Sequence, residues 1–289
     1  MPLEFRRRRF RKPGKKGQYA LALLALLAVI AVVCFWVAVR LHQPSAPEEP
    51  DADSSSAEGV QADPSWEPAY LLVLITDEEA PRAVLLRSDP YKGAMQATPL
   101  SVNARVQEDT QLYALYRKQG AAAVTAALAD TLEIPLQHYM AMRYDQVESW
   151  LNYLENGLVL TLPEAVQYTS LRLEAGEHNL TATQAVHLLQ YEGWQDAARA
   201  EQIAADALCA MLNQYLTAAR YLAGDFSALS NLCRSSLRIG DFTAGKDRLT
   251  YLAEQNAGSL CRTVTPEWKR TGDVVTLDGS VYTRAVTHR

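Results

Sequence analysis

A run of 21 residues without a charged side chain, Tyr19–Val39, constrains this 289-residue chain more than any other feature. As an α-helix the run is about 31 Å long at ~1.5 Å per residue, which matches the roughly 30 Å hydrocarbon core of a bilayer. The alternative is a cleaved signal peptide, whose apolar region is only about 7–15 residues long. The run is too long for that alternative and therefore predicts a transmembrane helix.

Basic residues surround the predicted span unequally. Eight Lys or Arg residues lie within residues 1–18, whereas only Arg40 and His42 precede the acidic stretch on the other side. The positive-inside rule therefore places the N-terminus in the cytoplasm and residues 41–289 outside the cell membrane. A basic cluster can also bind nucleic acid, but beside a span it is more typical of a topology signal that contacts anionic lipid.

The chain after the span is acidic. Residues 41–289 hold 19 Lys and Arg against 32 Asp and Glu, a formal charge of −13, which argues against general nucleic-acid binding but permits a local cationic pocket. Residues 40–68 are rich in Pro, Ser, Ala and acid and lack apolar periodicity, so they predict a disordered linker. A folded domain is predicted over residues 69–289.

Short apolar runs alternate with helical patterns from residue 69 onward. A continuous apolar run such as "AYLLVLIT" is typical of a strand buried on both faces. Four further runs predict strands: "AVLLRS", "ATPLSV", "HYMAMRY" and "GLVLTL". Because strands alternate with helices, the predicted fold class is α/β with a layered sheet.

Four segments after residue 119 have sequences that predict helices. Residues 120–132 have high helix propensity, and a long helix is predicted over residues 197–222 with Gly224 as its stop. Shorter helices are predicted over 229–238 and 246–255. The tail "VVTLDGSVYTRAV" predicts a hairpin with Asp-Gly at its turn.

Three cysteines lie beyond the span, at 209, 233 and 261. In an oxidising exterior Cys233 and Cys261 are one candidate disulfide, and three buried thiols are the equally acceptable alternative. The cysteine and histidine spacings match no metal site.

Several segments carry a resemblance by their order and spacing. "LLVLITD" at residues 71–77 is similar to a strand that ends in a Gly-Ser-Asp-type turn. "TPLSVNARV" at 98–106 lies where a Ser-Ile-Pro-Arg-Asp-Thr motif is expected. Residues 171–194 resemble the pattern L-x-L-x-x-G-x-x-x-L-x-G-x-x-A-L-x-Y-x-R-x-R. Together these segments resemble the LytR–CpsA–Psr (LCP) family of bacterial cell envelopes.

The resemblance implies a central mixed sheet flanked by helices and an apolar groove for a polyprenyl chain. It implies transfer of a phospho-linked glycopolymer from that lipid carrier to peptidoglycan. Its partners would be a polyprenyl-phosphate-linked glycan and peptidoglycan, and its cofactor Mg²⁺ held by carboxylates. Arginines suit the lipid pyrophosphate because guanidinium groups are permanently charged and bidentate.

The resemblance also assigns candidate residues. It implies catalytic roles for Asp77, Arg105 and Arg199, with Asp77 as a metal ligand. Phosphate binding falls to Arg105, Arg199 and Gln190. The lipid groove is assigned to two helices, through Ala185, Leu188, Leu189 and Ile203.

The chain departs from the family pattern at its charged positions. Gln190 and Glu192 stand at the Arg-x-Arg pair, and the expected arginine of the second motif is Ala104, with Arg105 one place later. Pro81-Arg82 falls near the family's Asp-Thr pair, so a metal ligand is missing. Arg82 and Arg87 lie on or near a predicted strand; surface positions are expected for them, and a phosphate-binding role is the alternative.

These departures leave three hypotheses. The first is an LCP-type phosphotransferase with weak or lost catalysis, and the second is a non-catalytic domain that binds a lipid-linked glycan, peptidoglycan or a partner protein. The third is an anchored sensor or scaffold with an unrelated α/β fold. Loss of guanidinium donors favours weak catalysis, because each charge-assisted hydrogen bond contributes about 1.5–3 kcal/mol.

Overall fold

The computed structural model describes residues 63, 65–107, 110–153, 157–217, 223–255, 259–272 and 274–283. The predicted span Tyr19–Val39 and nearly all of the predicted linker lie outside these residues. Within them, no helix is both long and apolar enough to cross a bilayer.

A six-stranded mixed sheet forms the centre of the domain, in the order β11-β6-β1-β2-β3-β12. β1 pairs antiparallel with β2 and parallel with β6, and β3 pairs antiparallel with β2 and parallel with β12. β11 closes the other edge, antiparallel to β6. The strands are β1 Ala69–Ile75, β2 Arg82–Asp89, β3 Ala94–Leu100, β6 His138–Met142, β11 Arg234–Ser235 and β12 Cys261–Thr263.

Smaller sheets complete the strand content. β13, β14, β4 and β5 form a four-stranded sheet in that order, while β7 pairs with β10 and β8 pairs with β9. Their bounds are β4 Ala104–Gln107, β5 Thr110–Gln111, β7 Leu158–Leu162, β8 Val166–Tyr168, β9 Leu171–Leu173, β10 Gly176–Leu180, β13 Lys269–Thr271 and β14 Val274–Thr276.

Eight helices are described. They are α1 Leu112–Gln119, α2 Ala121–Leu132, α3 Tyr144–Tyr153, α4 Ala182–Gln190, α5 Ala197–Thr217, α6 Ala223–Ser230, α7 Ile239–Gln255 and α8 Ser280–Thr283. α4 begins with a capping box, because the side chain of Thr181 accepts from the backbone of Gln184 and the Gln184 side chain accepts from the backbone of Thr181. Gly120 has φ 82° and separates α1 from α2.

The central sheet buries both of its surfaces, as its continuous apolar strands predict. Leu72, Leu74 and Leu85 pack with α1, α2 and α8 on one side, which we call the closed face. Val73 and Val84 point to the other side and pack with α3, α4 and α5; we call this side the cavity face. The predicted central mixed sheet flanked by helices is therefore confirmed for the described residues.

A disulfide fastens α5 to the edge of the sheet, but between different cysteines from those proposed above. Cys209 of α5 is bonded to Cys261 of β12, with their Cα atoms 4.9 Å apart. The side chain of Asn213 also donates to the carbonyl of Cys261 and accepts from its backbone N–H. Cys233 remains a free thiol, and burial raises its pKa to about 11.

Three local predictions are wrong. Residues 229–238 do not form one helix, because α6 ends at Ser230 and β11 follows. Gly224 does not stop a helix but lies inside α6. The turn at Asp278-Gly279 leads into α8, where the Asp278 carboxylate accepts from the backbone of Ser280. The tail hairpin lies earlier, between β13 and β14.

Candidate functional site

A buried arginine occupies the cavity face at the first position of β2. Arg82 is 5% exposed, although an arginine at this point of the chain was expected at the surface. Its Nη1 donates to the carbonyl of Pro81 at 3.0 Å, and its Nη2 lies 3.5 Å from the carbonyl of Tyr191. The same Nη2 lies 2.5 Å from the Oε1 of Glu192, whose side chain is 58% exposed. A buried cation is thus balanced by a carboxylate that remains in contact with solvent.

An apolar cavity of about 60 Å³ adjoins Arg82 between the central sheet and α3, α4 and α5. Apart from the guanidinium, the side chains that line it are hydrocarbon, thioether or indole. They are Val73, Ile75, Val84, Met142, Val147, Trp150, Leu151, Leu158, Leu189, Ala204, Ala207, Leu208 and Met211. A lining of this kind favours an apolar occupant.

A second, polar cavity of about 270 Å³ is lined by Glu192, the ion-pair partner of Arg82. Three carboxylates and an amide line it, together with two tyrosines and backbone. The lining residues are Asp77, Glu79, Ala80, Tyr168, Gln190, Tyr191, Glu192 and Gly193. Such a cavity suits a hydroxyl-rich group, because the carboxylates accept hydrogen bonds and tyrosine supplies an apolar ring with a polar tip.

Tyr144, at the start of α3, joins the elements around both cavities. Its buried hydroxyl lies 2.7 Å from the carbonyl of Ala80 and 3.1 Å from that of Leu189. Burial raises the pKa of this hydroxyl; the positive charge of Arg82 opposes the rise, and the negative charges of Asp77 and Glu192 add to it. Tyr144 therefore stays protonated and acts as a hydrogen-bond donor that positions the loops, rather than as a base.

Aromatic packing fixes the loop that carries Glu192. The ring of Tyr191 lies 5.0 Å from that of Trp194, which is buried, and 6.1 Å from that of Tyr168. Tyr191 also donates through its hydroxyl to the carbonyl of Gly193. These contacts hold the backbone on both sides of Glu192 while its side chain stays exposed.

Two of the predicted site residues line the polar cavity. Asp77 follows β1; its carboxylate accepts from the backbone of Glu79, and its carbonyl accepts from the hydroxyl of Tyr113. Gln190 is the last residue of α4 and lines the same cavity. The structure therefore brings Asp77 and Gln190 together beside the Arg82–Glu192 pair.

The two predicted arginines lie elsewhere. Arg105 is exposed on β4, in the four-stranded sheet. Arg199 lies in the first turn of α5, where its Nη1 donates to the side chain of Gln202 at 3.1 Å and its charge acts on Asp206. Among the described residues, the linings of the two cavities include neither arginine. Their catalytic and phosphate-binding roles stay predictions from the resemblance.

The predicted groove residues divide between the cavity and the core behind it. Leu189 lines the apolar cavity, and α5 contributes Ala204, Ala207, Leu208 and Met211 to the same lining. Ala185, Leu188 and Ile203 are buried in the core of the cavity face without lining the cavity. The two predicted helices do flank an apolar cavity against the sheet, but mainly through other side chains.

The residues present do not fit a divalent metal. Within the described part of the chain, no group of three or more His, Cys, Asp or Glu side chains is arranged to hold a metal ion. Asp77 is the predicted ligand, but Pro81-Arg82 lies where the resemblance implies a second carboxylate. Because a buried guanidinium repels a divalent cation, the implied Mg²⁺ has no built site here.

Sequence reasoning favoured a surface position for Arg82 over a phosphate-binding role, and the surface position is wrong. The available signal was its place directly before "AVLL", because an arginine that opens a strand buried on both faces is buried with that strand. Its counter-ion, Glu192, is 110 residues further along the chain, so no local pattern joins the two.

Solved structures of bacterial proteins superpose on this chain and show that they share its fold. No family model and no curated protein matches the chain. A solved structure from Eubacterium siraeum DSM 15702, described as a transcription regulator, superposes with a TM-score of 0.67 at 16% identity, covering 84% of this chain and 97% of that one. Bacillus subtilis TagV superposes at 0.57 and 13% identity over 73% and 91% of the two chains. TagT bound to LI-WTA superposes at 0.57 and 13% identity over 78% and 91%. The chain shares the fold of these proteins.

Proposed function

We propose that this chain binds a lipid-linked anionic glycopolymer intermediate at the bacterial cell envelope, as an LCP-like protein. The observation that carries the proposal is the Arg82–Glu192 ion pair, whose arginine lines an apolar cavity and whose glutamate lines a polar one. A polyprenyl-phosphate-linked glycan has the same three parts in the same order: an apolar tail, an anionic linkage and a hydroxyl-rich glycan.

The fold supports this assignment. TagT shares the architecture, and one of its solved structures contains LI-WTA, an intermediate of wall teichoic acid. For this chain we extend the proposal to anchoring by Tyr19–Val39, with the folded domain outside the membrane and peptidoglycan as the acceptor-side partner. Its basis is the uncharged run and the basic residues that precede it.

The size of the apolar cavity sets a requirement on binding. At about 60 Å³ it is smaller than the roughly 150 Å³ apolar cavity that admits benzene. A polyprenyl tail therefore needs α3 and α4 to move away from the sheet, since α5 is fastened to β12 by Cys209–Cys261 and by Asn213. The proposal includes this widening.

We also propose that the natural sequence transfers the glycopolymer to peptidoglycan slowly. The basis is the loss of two arginines at Gln190 and Glu192. The double variant Gln190→Arg with Glu192→Arg should then raise the rate of transfer of a lipid-linked glycopolymer to peptidoglycan. A natural chain that transfers as fast as this variant would contradict slow catalysis.

The binding proposal is tested with the full chain in lipid nanodiscs that contain either a polyprenyl pyrophosphate or the uncharged polyprenol. We expect the pyrophosphate to be retained on the repurified protein and the polyprenol to be lost, measured by mass spectrometry of the extracted lipid. Ala207→Phe fills the apolar cavity and should abolish retention. Ala126→Phe, on the exposed side of α2, is the matched control and should retain the lipid. Equal retention by both variants would rule out the cavity as the lipid site.

A further inference from the structure

The strongest unassigned feature is the sign of the charges at the Arg82–Glu192 pair. The resemblance places a metal-binding carboxylate near Pro81-Arg82 and an arginine at position 192. In this chain Arg82 stands beside the first of these positions and Glu192 at the second, and the two side chains form an ion pair at 2.5 Å. A positive charge is therefore present beside the apolar cavity, but β2 supplies it instead of the loop after α4.

We propose that the guanidinium of Arg82 supplies the positive charge that LCP-like sites take from Mg²⁺, and that Glu192 is an exchangeable counter-ion which an anionic head group displaces. The inference rests on the proposed function, since it concerns the anionic linkage of the same ligand. It assigns to Arg82 the direct binding of that anion without a metal.

The surroundings of Arg82 support a built anion site. The side chain is 95% buried, and its Nε has no hydrogen-bond partner among the described residues. Its protein contacts are two backbone carbonyls and one carboxylate, all of which are acceptors. A permanently charged guanidinium in the lining of a cavity attracts an anion strongly, because low dielectric strengthens each charge-assisted hydrogen bond.

The surroundings of Glu192 support exchange. Its side chain is 58% exposed, so it returns to water at little cost when it leaves Arg82. The backbone beside it is held by the N–H of Tyr191, which donates to the carbonyl of Leu188, and by buried Trp194. A change of side-chain rotamer is therefore enough to free the guanidinium, and the loop need not open.

Exchange also predicts selectivity. An uncharged polyprenol cannot replace the carboxylate on Arg82, because it would leave a buried charge unpaired. A phosphate or pyrophosphate ester replaces it with equal or greater negative charge. Glu192 therefore lowers the affinity for every ligand and excludes neutral ones.

The experiment measures calorimetric binding of two soluble probes to the full chain in detergent. Methyl phosphate represents the head group, and hexyl phosphate adds a short apolar tail. Each probe is titrated into the protein twice, once in buffer that contains EDTA and once in buffer that contains excess Mg²⁺. The variants are Glu192→Gln and Arg82→Met, with Glu177→Gln and Arg172→Met, two exposed residues of β10 and β9, as matched controls.

We expect both probes to bind in EDTA, with no more than about a twofold gain from Mg²⁺. Glu192→Gln should tighten binding about 3- to 10-fold by removing the competing carboxylate. Arg82→Met should weaken it about 10- to 100-fold, the loss expected for a charge-assisted hydrogen bond to a buried group. The controls should stay within about twofold of the natural chain.

The other outcomes separate the two proposals. If Glu192→Gln binds hexyl phosphate only with Mg²⁺, the site uses a metal; the inference is wrong while the proposed function survives. If methyl phosphate binds without metal but hexyl phosphate binds no more tightly, the inference stands and the apolar occupant is wrong. If Glu192→Gln, an exposed substitution that leaves the core intact, binds neither probe, the inference is overturned even where Arg82→Met does not fold.

Discussion

Two buried arginines lie five residues apart on β2 and face opposite sides of the sheet. Arg82 points to the cavity face and Arg87 to the closed face, and they are 5% and 4% exposed. In each of them the Nε has no hydrogen-bond partner among the described residues. Burial and an unpaired donor therefore do not distinguish the two side chains.

The location of the counter-charge distinguishes them. Arg87 pairs at 2.9 Å with Asp89, whose side chain is only 4% exposed, and lies over the ring of Tyr70. The other oxygen of Asp89 accepts from the backbone of Tyr91 and Lys92, so the carboxylate is part of the β2–β3 turn. Arg82 pairs with exposed Glu192 beside two cavities. A buried counter-ion makes Arg87 structural, whereas an exposed one leaves Arg82 able to exchange its partner.

The largest expected effect comes from breaking the structural pair. Asp89→Asn leaves the Arg87 charge buried without a counter-ion, and we expect a loss of about 3–5 kcal/mol in the free energy of unfolding. Guanidinium denaturation measures this loss, with Glu177→Gln as the exposed control. Methyl phosphate at 10 mM should not restore the stability. Restoration would mean that the closed face also admits anions, and the comparison would fail.

The sequence predicted the layered frame well for reasons that are local. β1 is a continuous apolar run, β2 holds the apolar run Ala83–Leu86, and the inner side chains of α5 recur at helical spacing, so each pattern indicates its own element. The hairpin predicted at Asp278-Gly279 is wrong because the conformation of this turn depends on packing against a distant helix. A Cβ on Gly279 would lie 2.4 Å from the carbonyl of Leu132, so this glycine permits a close approach to α2 rather than a hairpin turn.

The next largest effect on stability is expected from the disulfide that joins α5 to β12 on the cavity face. Replacing both Cys209 and Cys261 by Ser releases α5 from β12, and we expect a loss of about 3 kcal/mol in the free energy of unfolding, typical of a native disulfide. Cys233→Ser is the matched control and should change stability by less than about 1 kcal/mol. If the double variant also binds hexyl phosphate more tightly, α5 contributes to the widening of the cavity as well as α3 and α4.

A smaller effect on stability is expected from the Arg82–Glu192 pair, and it tests directly how this pair differs from Arg87–Asp89. Glu192→Gln removes the counter-ion of Arg82, but water reaches the position that the carboxylate leaves. We therefore expect a loss of only about 1 kcal/mol in the free energy of unfolding, against the larger loss for Asp89→Asn. Methyl phosphate should restore it, since a ligand that binds only the folded state stabilises that state. A loss above about 3 kcal/mol without restoration would make Arg82 as structural as Arg87.

The site was only partly predictable. Asp77, two residues after β1, and Gln190, the last residue of α4, both line the polar cavity, while their roles stay predictions. The Arg82–Glu192 pair was not foreseen because it joins positions that only the tertiary fold brings together. A family motif gives the expected residue at each position separately, so it does not reveal which two side chains form an ion pair in the folded chain.

The smallest expected effect concerns a partly buried charge, Asp206 of α5. Burial raises the pKa of its carboxyl above the ordinary 3.8, while a hydrogen bond from Thr263 at 2.5 Å and the positive charge of Arg199 oppose the rise. A raised pKa means that the folded state binds this proton more readily than the unfolded state. This group's contribution to stability therefore increases as pH falls through the folded pKa toward 3.8, and it is unfavourable at neutral pH.

Asp206→Asn removes the charge and keeps an acceptor for Thr263, so we expect a gain of about 0.5–1 kcal/mol in the free energy of unfolding at pH 7 that disappears near pH 4. Denaturation at both pH values measures the difference. A loss of stability at pH 7 would show that Arg199 stabilises the ionised carboxylate by more than burial penalises it.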